Sequence, residues 1–245
     1  LENFSIVLTE PRYPGNVGAV ARAMSNMGFQ DLLLVSPCST DQPESRMMAV
    51  EAWTILEKAR IFNSLREALS GFQYAVATTR RGGRLRENAL DPRSMARRLV
   101  DFVPRNRVAL VFGPEDRGLN NEELCLCQAV VTIPTNPDFP SLNLSQAVMI
   151  ILWELAAAAA EPPEDSEVPV LAPLGRVENM YRHMEEVLLE IGYLHPENPR
   201  RMIRSIKRVL NRAGLEERDI RAMRGIFRQF DWYFKKNLTK GESSD

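Results

Sequence analysis

Histidine is nearly absent from this chain: there are two in 245 residues, His183 and His195, both in the last third. Any chemistry in the first two-thirds must therefore run without an imidazole base or imidazole metal ligands. Cysteine is almost as scarce. Cys38, Cys125 and Cys127 are odd in number, and the C-x-C spacing of the last two suits neither a disulfide framework nor a zinc site. Reduced thiols in a cytoplasmic protein are expected, with no metal. There is no run of about 20 apolar residues to cross a bilayer, and no charged-then-apolar leader pattern. The longest apolar stretch, Ala147 to Ala160, is too short and carries Glu154. Three familiar motifs are also missing: G-x-G-x-x-G, G-x-x-x-x-G-K-[ST] and G-x-S-x-G. Classical dinucleotide sites, P-loops and nucleophile elbows therefore lack support.

What is present suits a folded protein larger than one average domain. A hydrophobic fraction of 44% and a charged fraction of 26% are ordinary globular values, so wholesale disorder is not expected. The net charge of −1 conceals a strong segregation. Arg200 to Lys240 holds thirteen Lys/Arg against four Asp/Glu, a balance of +9; Arg80 to Arg98 holds seven Arg against two acids, a balance of +5. Solvated helix faces would explain either run alone, but two such runs suggest a footprint for a polyanion.

Up to residue 160 the chain alternates short β-rich runs with helical patterns. Strands are expected at Ser5–Thr9, Asp31–Val35, Tyr74–Thr78, Val108–Phe112 and Ala129–Ile133, and their nearly continuous apolar character predicts burial on both faces. Helices are expected at Val17–Met27, Ser45–Lys58, Leu65–Leu69, Pro92–Phe102, Asn121–Cys125 and Leu144–Ala159. This alternation predicts an α/β domain over residues 1–160 with a parallel sheet. Residues 161–173 (EPPEDSEVPVLAP) read as a proline- and acid-rich linker. Residues 174–245 show three helical patterns, Leu174–Ile191, Pro199–Ala213 and Glu216–Phe234, with Gly192 and Gly214 where C-caps belong. They predict a small all-α appendage.

Open parallel sheets place ligands in loops at the carboxyl ends of their strands, and four such loops stand out. The first runs from Glu10 through Arg12, Pro14 and Gly15 to Asn16, a candidate N-cap, and on to Gly18 and Arg22. Val17, Val20, Ala21, Met24 and Met27 form its buried stripe, leaving Gly18, Arg22 and Asn26 opposite. The second is Gly113-Pro-Glu115-Asp-Arg-Gly118, acids and an arginine between two glycines. The third runs from Pro134 to Ser141-Leu-Asn143-Leu-Ser145; capping uses one of its polar side chains and leaves a surplus suited to adenosine or ribose contacts. The fourth continues Thr78-Thr79-Arg80-Arg81 into Arg84, glycine-loosened and basic. A capped helix, a tight turn and surface loops account for each taken singly.

Taken together, Asn16-Val-Gly-Ala-Val-Ala-Arg22, Leu110 through Gly113-Pro-Glu115 to Leu119, and Ile133 through Ser141-Leu-Asn-Leu-Ser145 resemble the three ordered motifs of the SPOUT RNA 2′-O-methyltransferases (the TrmH/SpoU family). Ile191 to Arg200 and Arg224 to Gln229 resemble the C-terminal extension of the TrmJ type, whose substrate is the ribose of nucleotide 32 in the tRNA anticodon loop. The resemblance implies a SPOUT fold with a C-terminal trefoil knot, an exception to unknotted topology. It also implies S-adenosylmethionine as cofactor, tRNA as substrate, and a homodimer with its active site at or near the subunit interface. It assigns cofactor contacts to Thr78, Thr79, Arg80, Gly113, Ile133, Ser141, Leu142 and Asn143. The catalytic arginine falls on Arg22, with Asn16, Glu115, Ser141 and Asn143 as catalytic support. RNA contacts are expected from Arg12, Arg81, Arg84, Arg200, Arg201, Arg204, Lys207 and Arg208. Pro114 departs from a position often polar or charged in this type, which implies an altered loop. Two other readings remain: a SPOUT enzyme acting on rRNA or another tRNA position, and a non-catalytic RNA-binding protein.

Overall fold

A computed structural model describes residues 1–80, 89–160, 168–194 and 199–241. The candidate RNA contacts Arg81 and Arg84 lie outside these residues. The chain forms two compact units, Leu1–Val170 and Leu171–Asp245.

In the first unit six strands make one parallel sheet: β1 (Phe4–Thr9), β2 (Asp31–Val35), β3 (Arg60–Phe62), β4 (Tyr74–Thr78), β5 (Val108–Phe112) and β6 (Ala129–Val131). Their order is β3-β2-β1-β5-β4-β6. Every residue of β1 and β5 is buried, as expected of central strands covered on both faces whose apolar sequences are broken only by Ser5 and Thr9. From β1 the chain builds outward through β2 and β3, then crosses to the other side. The order therefore reverses beside β1, and the crevice at the carboxyl ends of β1 and β5 is the topological switch point.

The helices of this unit are α1 (Pro14–Asn26), α2 (Pro43–Ala49), α3 (Trp53–Glu57), α4 (Leu65–Leu69), α5 (Pro92–Phe102), α6 (Asn121–Cys125) and α7 (Leu144–Ala159). Helix α1 packs against α2 and α7, and α5 packs against α7. Val17, Val20, Ala21 and Met24 of α1 are fully buried, as the expected stripe requires, while Met27 is half-buried.

Four sequence expectations need correction. Helix α1 starts at Pro14 with Tyr13 as N-cap, because proline's fixed φ and missing N–H suit the first turn; Asn16 is inside the helix. Gly18, placed opposite the buried stripe, is itself buried: a Cβ there would lie 2.2 Å from the Ser45 carbonyl oxygen, so the close approach that its missing side chain permits is that of the α2 backbone. The helix expected over Ser45–Lys58 breaks at Val50 (φ 53°) into α2, a 3-10 turn and α3. Finally, β3 was invisible to patterning, because Arg60–Phe62 is short and exposed and becomes a strand only by pairing with Leu33–Val35 of β2.

The second unit contains α8 (Leu174–Glu190), α9 (Pro199–Asn211) and α10 (Glu217–Gly241). Its core gathers Val177, Met180, Tyr181, Met184, Ile203, Ile220 and Phe227. The Tyr181 hydroxyl donates to Asn211 Oδ1 at 2.7 Å, tying α8 to α9. Gly192 and Gly214 follow α8 and α9 with φ of 72° and 63°, the left-handed geometry of a glycine C-cap. Residues 171–173, read as linker, start this unit: Ala172 is 1% exposed and its N–H donates to the Leu215 carbonyl at 2.8 Å. Apolar residues inside a proline-rich run are what composition alone misassigns.

Candidate active site

The loops that follow β4, β5 and β6 enclose an open pocket. Thr78, Thr79, Arg80, Gly113, Glu115, Ile133, Ser141 and Leu142 line it, together with Phe112, Arg117, Leu144 and Ala147 among others. Seven of the eight residues expected to contact a cofactor thus meet around one cavity. The eighth, Asn143, does not line it and is attached through hydrogen bonds.

The wall contributed by β5 depends on a tight loop. A Cβ on Gly113 would lie 2.4 Å from the Leu119 nitrogen, so only glycine lets the loop fold back on itself. Gly118 N donates to the Pro114 carbonyl at 2.8 Å and closes the turn. Arg117 braces it: Nη1 donates to the Gly118 carbonyl at 3.0 Å, both Nη atoms bond Glu123 at 3.0 and 3.2 Å, and Nη2 lies 3.1 Å from Glu10. Hydrogen bonds to Glu123 and Glu10 hold the guanidinium protonated well beyond its ordinary range, so Arg117 is a fixed cation.

Beside the pocket, one hydrogen-bonded chain joins the loops after β1, β5 and β6. Glu115 accepts from the Arg12 backbone N–H at 2.9 Å and from Asn16 Nδ2 at 2.7 Å. Asn16 Oδ1 then accepts from Asn143 Nδ2 at 2.9 Å, and Asn143 Oδ1 caps α7 by accepting from Ser145 N at 2.9 Å and Ser145 Oγ at 2.8 Å. The polarity is forced from one end. A carboxylate only accepts, so Asn16 must turn its amide nitrogen to Glu115 and its oxygen to Asn143. Asn143 thus serves as both helix cap and the end of this chain, which resolves the surplus of polar groups seen in the sequence.

Arg22 stands apart. It is exposed on α1, does not line the pocket, and makes no ion pair or hydrogen bond among the described residues. Arg12 is already within 3.8 Å of Glu10 and 3.7 Å of Asp116, so its charge is compensated. In the second unit Lys207 points inward, pairing with Glu178 at 3.4 Å and lying 5.0 Å from the Tyr181 ring centroid; this departs from the expectation that it faces RNA. Arg204 is half-buried and Arg208 exposed. Arg200 and Arg201 begin α9, but their side chains lie outside the described residues. Two of the three thiols are disfavoured as nucleophiles: burial raises the Cys127 pKa strongly, and that of Cys38 is raised chiefly by burial. No metal-binding group of His, Cys, Asp or Glu occurs among the described residues.

The model of the SpoU rRNA Methylase family matches residues 3–153 of the chain, and that of the tRNA methyltransferase TrmJ C-terminal domain matches residues 175–242. The chain belongs to the SpoU methylase family, in its TrmJ branch. It is 37% identical over 238 residues to the tRNA (cytidine/uridine/adenosine-2′-O-)-methyltransferase TrmJ of Pseudomonas aeruginosa, covering 92% of this chain and 93% of that one. Against the tRNA (cytidine/uridine-2′-O-)-methyltransferase TrmJ of Escherichia coli K12 the figures are 36% over 244 residues, 97% and 98%. The crystal structure of TrmJ from Z. mobilis ZM4 superposes with a TM-score of 0.82 at 31% identity, covering 93% of this chain and 98% of that one. The family's members are methylases, so this chain is a methyltransferase. Within this SpoU chain, sequence reading missed Glu10 and Glu123 as braces of the pocket wall. Glu123 carried a signal, since Asn120-Asn-Glu-Glu123 spells a capping box, and its carboxylate is shared with Arg117. Glu10 carried none: its position depends on a φ of 46° at the end of β1.

Proposed function

We propose that the chain transfers a methyl group from S-adenosylmethionine to a ribose 2′-OH of tRNA, at the pyrimidine of position 32 in the anticodon loop. The observation that carries this reading is the Glu115–Asn16–Asn143 chain set against a pocket of mixed chemistry. Thr78, Thr79 and Ser141 bring hydroxyls for ribose and amino-acid groups, and Ile133, Leu142 and Leu144 bring apolar surface for an adenine ring. The lining therefore fits the proposed cofactor.

The cofactor supplies a methyl group already activated on a sulfonium. The chain's residues must orient the ribose and meet charge growing on its oxygen. Glu115, Asn16 and Asn143 hold the rim of the pocket in one geometry. Arg22 clamps the target phosphate and the developing alkoxide; guanidinium does not give up its proton, so it stabilises charge rather than acting as base. As the 2′-oxygen takes the methyl and the sulfur leaves as a neutral thioether, the 2′-OH proton passes to the Glu115 carboxylate, with Ser141 and Asn143 positioning the hydroxyl. Its exposed position, unpaired among the described residues and outside its own chain's pocket, supports a homodimer in which it serves the site of the second copy. The reading includes a trefoil knot formed by the C-terminal part of the first unit, and a separate all-α tRNA-binding unit. It requires no metal and places the protein in the cytoplasm.

Incubating the full chain with unmodified total tRNA and methyl-labelled S-adenosylmethionine, then mapping the label, tests it. A 2′-O-methyl at pyrimidine 32 is expected. Label confined to rRNA or to another tRNA position would move the substrate. Absence of cofactor binding in titration calorimetry would favour a non-catalytic RNA-binding role.

A further inference from the structure

Tyr13 combines a fixed backbone with an open ring. Its backbone is extended, φ −114° and ψ 119°, and its carbonyl accepts from the N–H groups of Asn16 at 3.0 Å and Val17 at 3.3 Å. The preceding N–H, that of Arg12, donates to Glu115 Oε2 at 2.9 Å. Tyr13 is thus held on both sides by residues of the Glu115–Asn16–Asn143 chain or their direct partners. It is nevertheless 60% exposed, and its ring and hydroxyl make no hydrogen bond or ring contact among the described residues.

A large side chain at the start of a helix commonly folds onto the first turn and is covered there; this one stays open. A lone surface aromatic needs no explanation in general. What sets Tyr13 apart is its place, next to the N–H that holds Glu115 and three residues before Asn16, beside the pocket without lining it. The surrounding charges select what the ring can receive. Glu10, Glu115 and Asp116 lie on the same two loops, and the arginines among them are already paired: Arg12 with Glu10 and Asp116, Arg117 with Glu10 and Glu123. A phosphate meets no unpaired cation among these residues, whereas an uncharged π face meets an open ring. We propose that Tyr13 is the platform on which the base of the target nucleotide stacks. The base is bonded to the ribose carbon next to the one bearing the reacting hydroxyl, so a 2′-OH brought to Glu115 brings its base to this rim. The proposal rests on the ribose-methylation reading above and deepens it. Stacking does not read the edge of a base, so Tyr13 serves cytidine and uridine alike.

The test compares two tRNAs that differ only at the target nucleotide: one intact, the other with hydrogen in place of the base and the 2′-OH retained. Methylation by the full chain is followed with labelled S-adenosylmethionine. Tyr13→Ala should lower kcat/KM for the intact tRNA by about tenfold, whether the target is cytidine or uridine, as the loss of one stacked base requires. Tyr13→Phe and Tyr13→Trp should stay near the wild-type rate, and Tyr13→Leu should not. On the base-less tRNA, wild type and Tyr13→Ala should react equally. Cofactor affinity in calorimetry and the salt dependence of tRNA binding should be unchanged throughout, because Tyr13 neither lines the pocket nor carries charge. An unchanged rate for Tyr13→Ala, an equal loss on both tRNAs, or failure of Tyr13→Phe to retain activity overturns the proposal. So does a Tyr13→Ala defect matched by lost cofactor affinity or by lost self-association in sedimentation. If the wild type methylates tRNA while these results are negative, Tyr13's role alone fails. If it methylates no tRNA, the function proposed above fails irrespective of Tyr13.

Discussion

Both carboxylate oxygens of Glu115 are committed, one to the Arg12 N–H and one to Asn16, so the position of this side chain depends on neighbours supplied by the loop after β1 and the first turn of α1. Replacing Asn16 by alanine removes the middle of the chain without harming α1, because alanine is the best helix former. Turnover should fall about 10²-fold through misplacement of the groups at the rim. The dissociation constant for S-adenosylmethionine, measured by calorimetry, should stay near that of the wild type, since Asn16 does not line the pocket. Arg22→Lys keeps the charge but loses the planar fork, and single-turnover methylation of tRNA should drop by about tenfold. Near-full turnover in that variant would sink the bidentate clamp. The residue types were legible in the sequence, but who holds whom was not. Asn16 looked like a cap because its identity and place beside a turn fit one, and only the start of α1 at Pro14 frees its side chain for Glu115.

At the scale of elements, the packing of α1 on α2 turns on one missing Cβ. Gly18→Ala would place a methyl 2.2 Å from the Ser45 carbonyl oxygen and 3.1 Å from the Ala49 nitrogen. Backbone atoms cannot swing aside like a flexible side chain, and Ser45 is already anchored by its hydroxyl's bond to the Pro14 carbonyl at 3.0 Å. A loss of about 1–3 kcal/mol in denaturant unfolding is expected, as for other overpacked sites. A midpoint equal to the wild type's would show that α2 can shift. Strands and helices with strong periodicity were readable from composition and spacing: β1, β2, β4 and β5 are apolar throughout or nearly so, and the start of α5 is marked by the cap Asp91 and Pro92. What escaped were elements made by their surroundings. β3 exists because β2 offers an edge to pair with, and the break at Val50 has no glycine or proline to announce it.

At the scale of the whole molecule, charge is divided between the two units, and the division can be tested by ending the chain at Val170. The shorter protein should retain S-adenosylmethionine binding but bind tRNA more weakly and with a flatter salt dependence. Each phosphate that the second unit no longer neutralises should lower the slope of log affinity against log salt by about 0.7–0.9. Equal slopes for the two chains would remove the second unit from RNA binding. The boundary is set by packing: Pro169 supplies a carbonyl to Asn106 at 3.0 Å, whereas Ala172 bonds Leu215. The sequence by itself determined the α/β pattern, the parallel sheet, the four loops that carry the site and the basic character of the C-terminal part. Each of these is encoded locally, in the burial of strands, the punctuation of turns and the spacing of charges. The tertiary structure alone decided which loops share a pocket, that Glu115, Asn16 and Asn143 form one chain, that Arg22 lies exposed outside the pocket and that Lys207 faces inward. Those are relations between residues up to 127 positions apart, and a hydrogen bond of that span is created only when the sheet's crossing strand order brings the ends of β1, β5 and β6 to one edge.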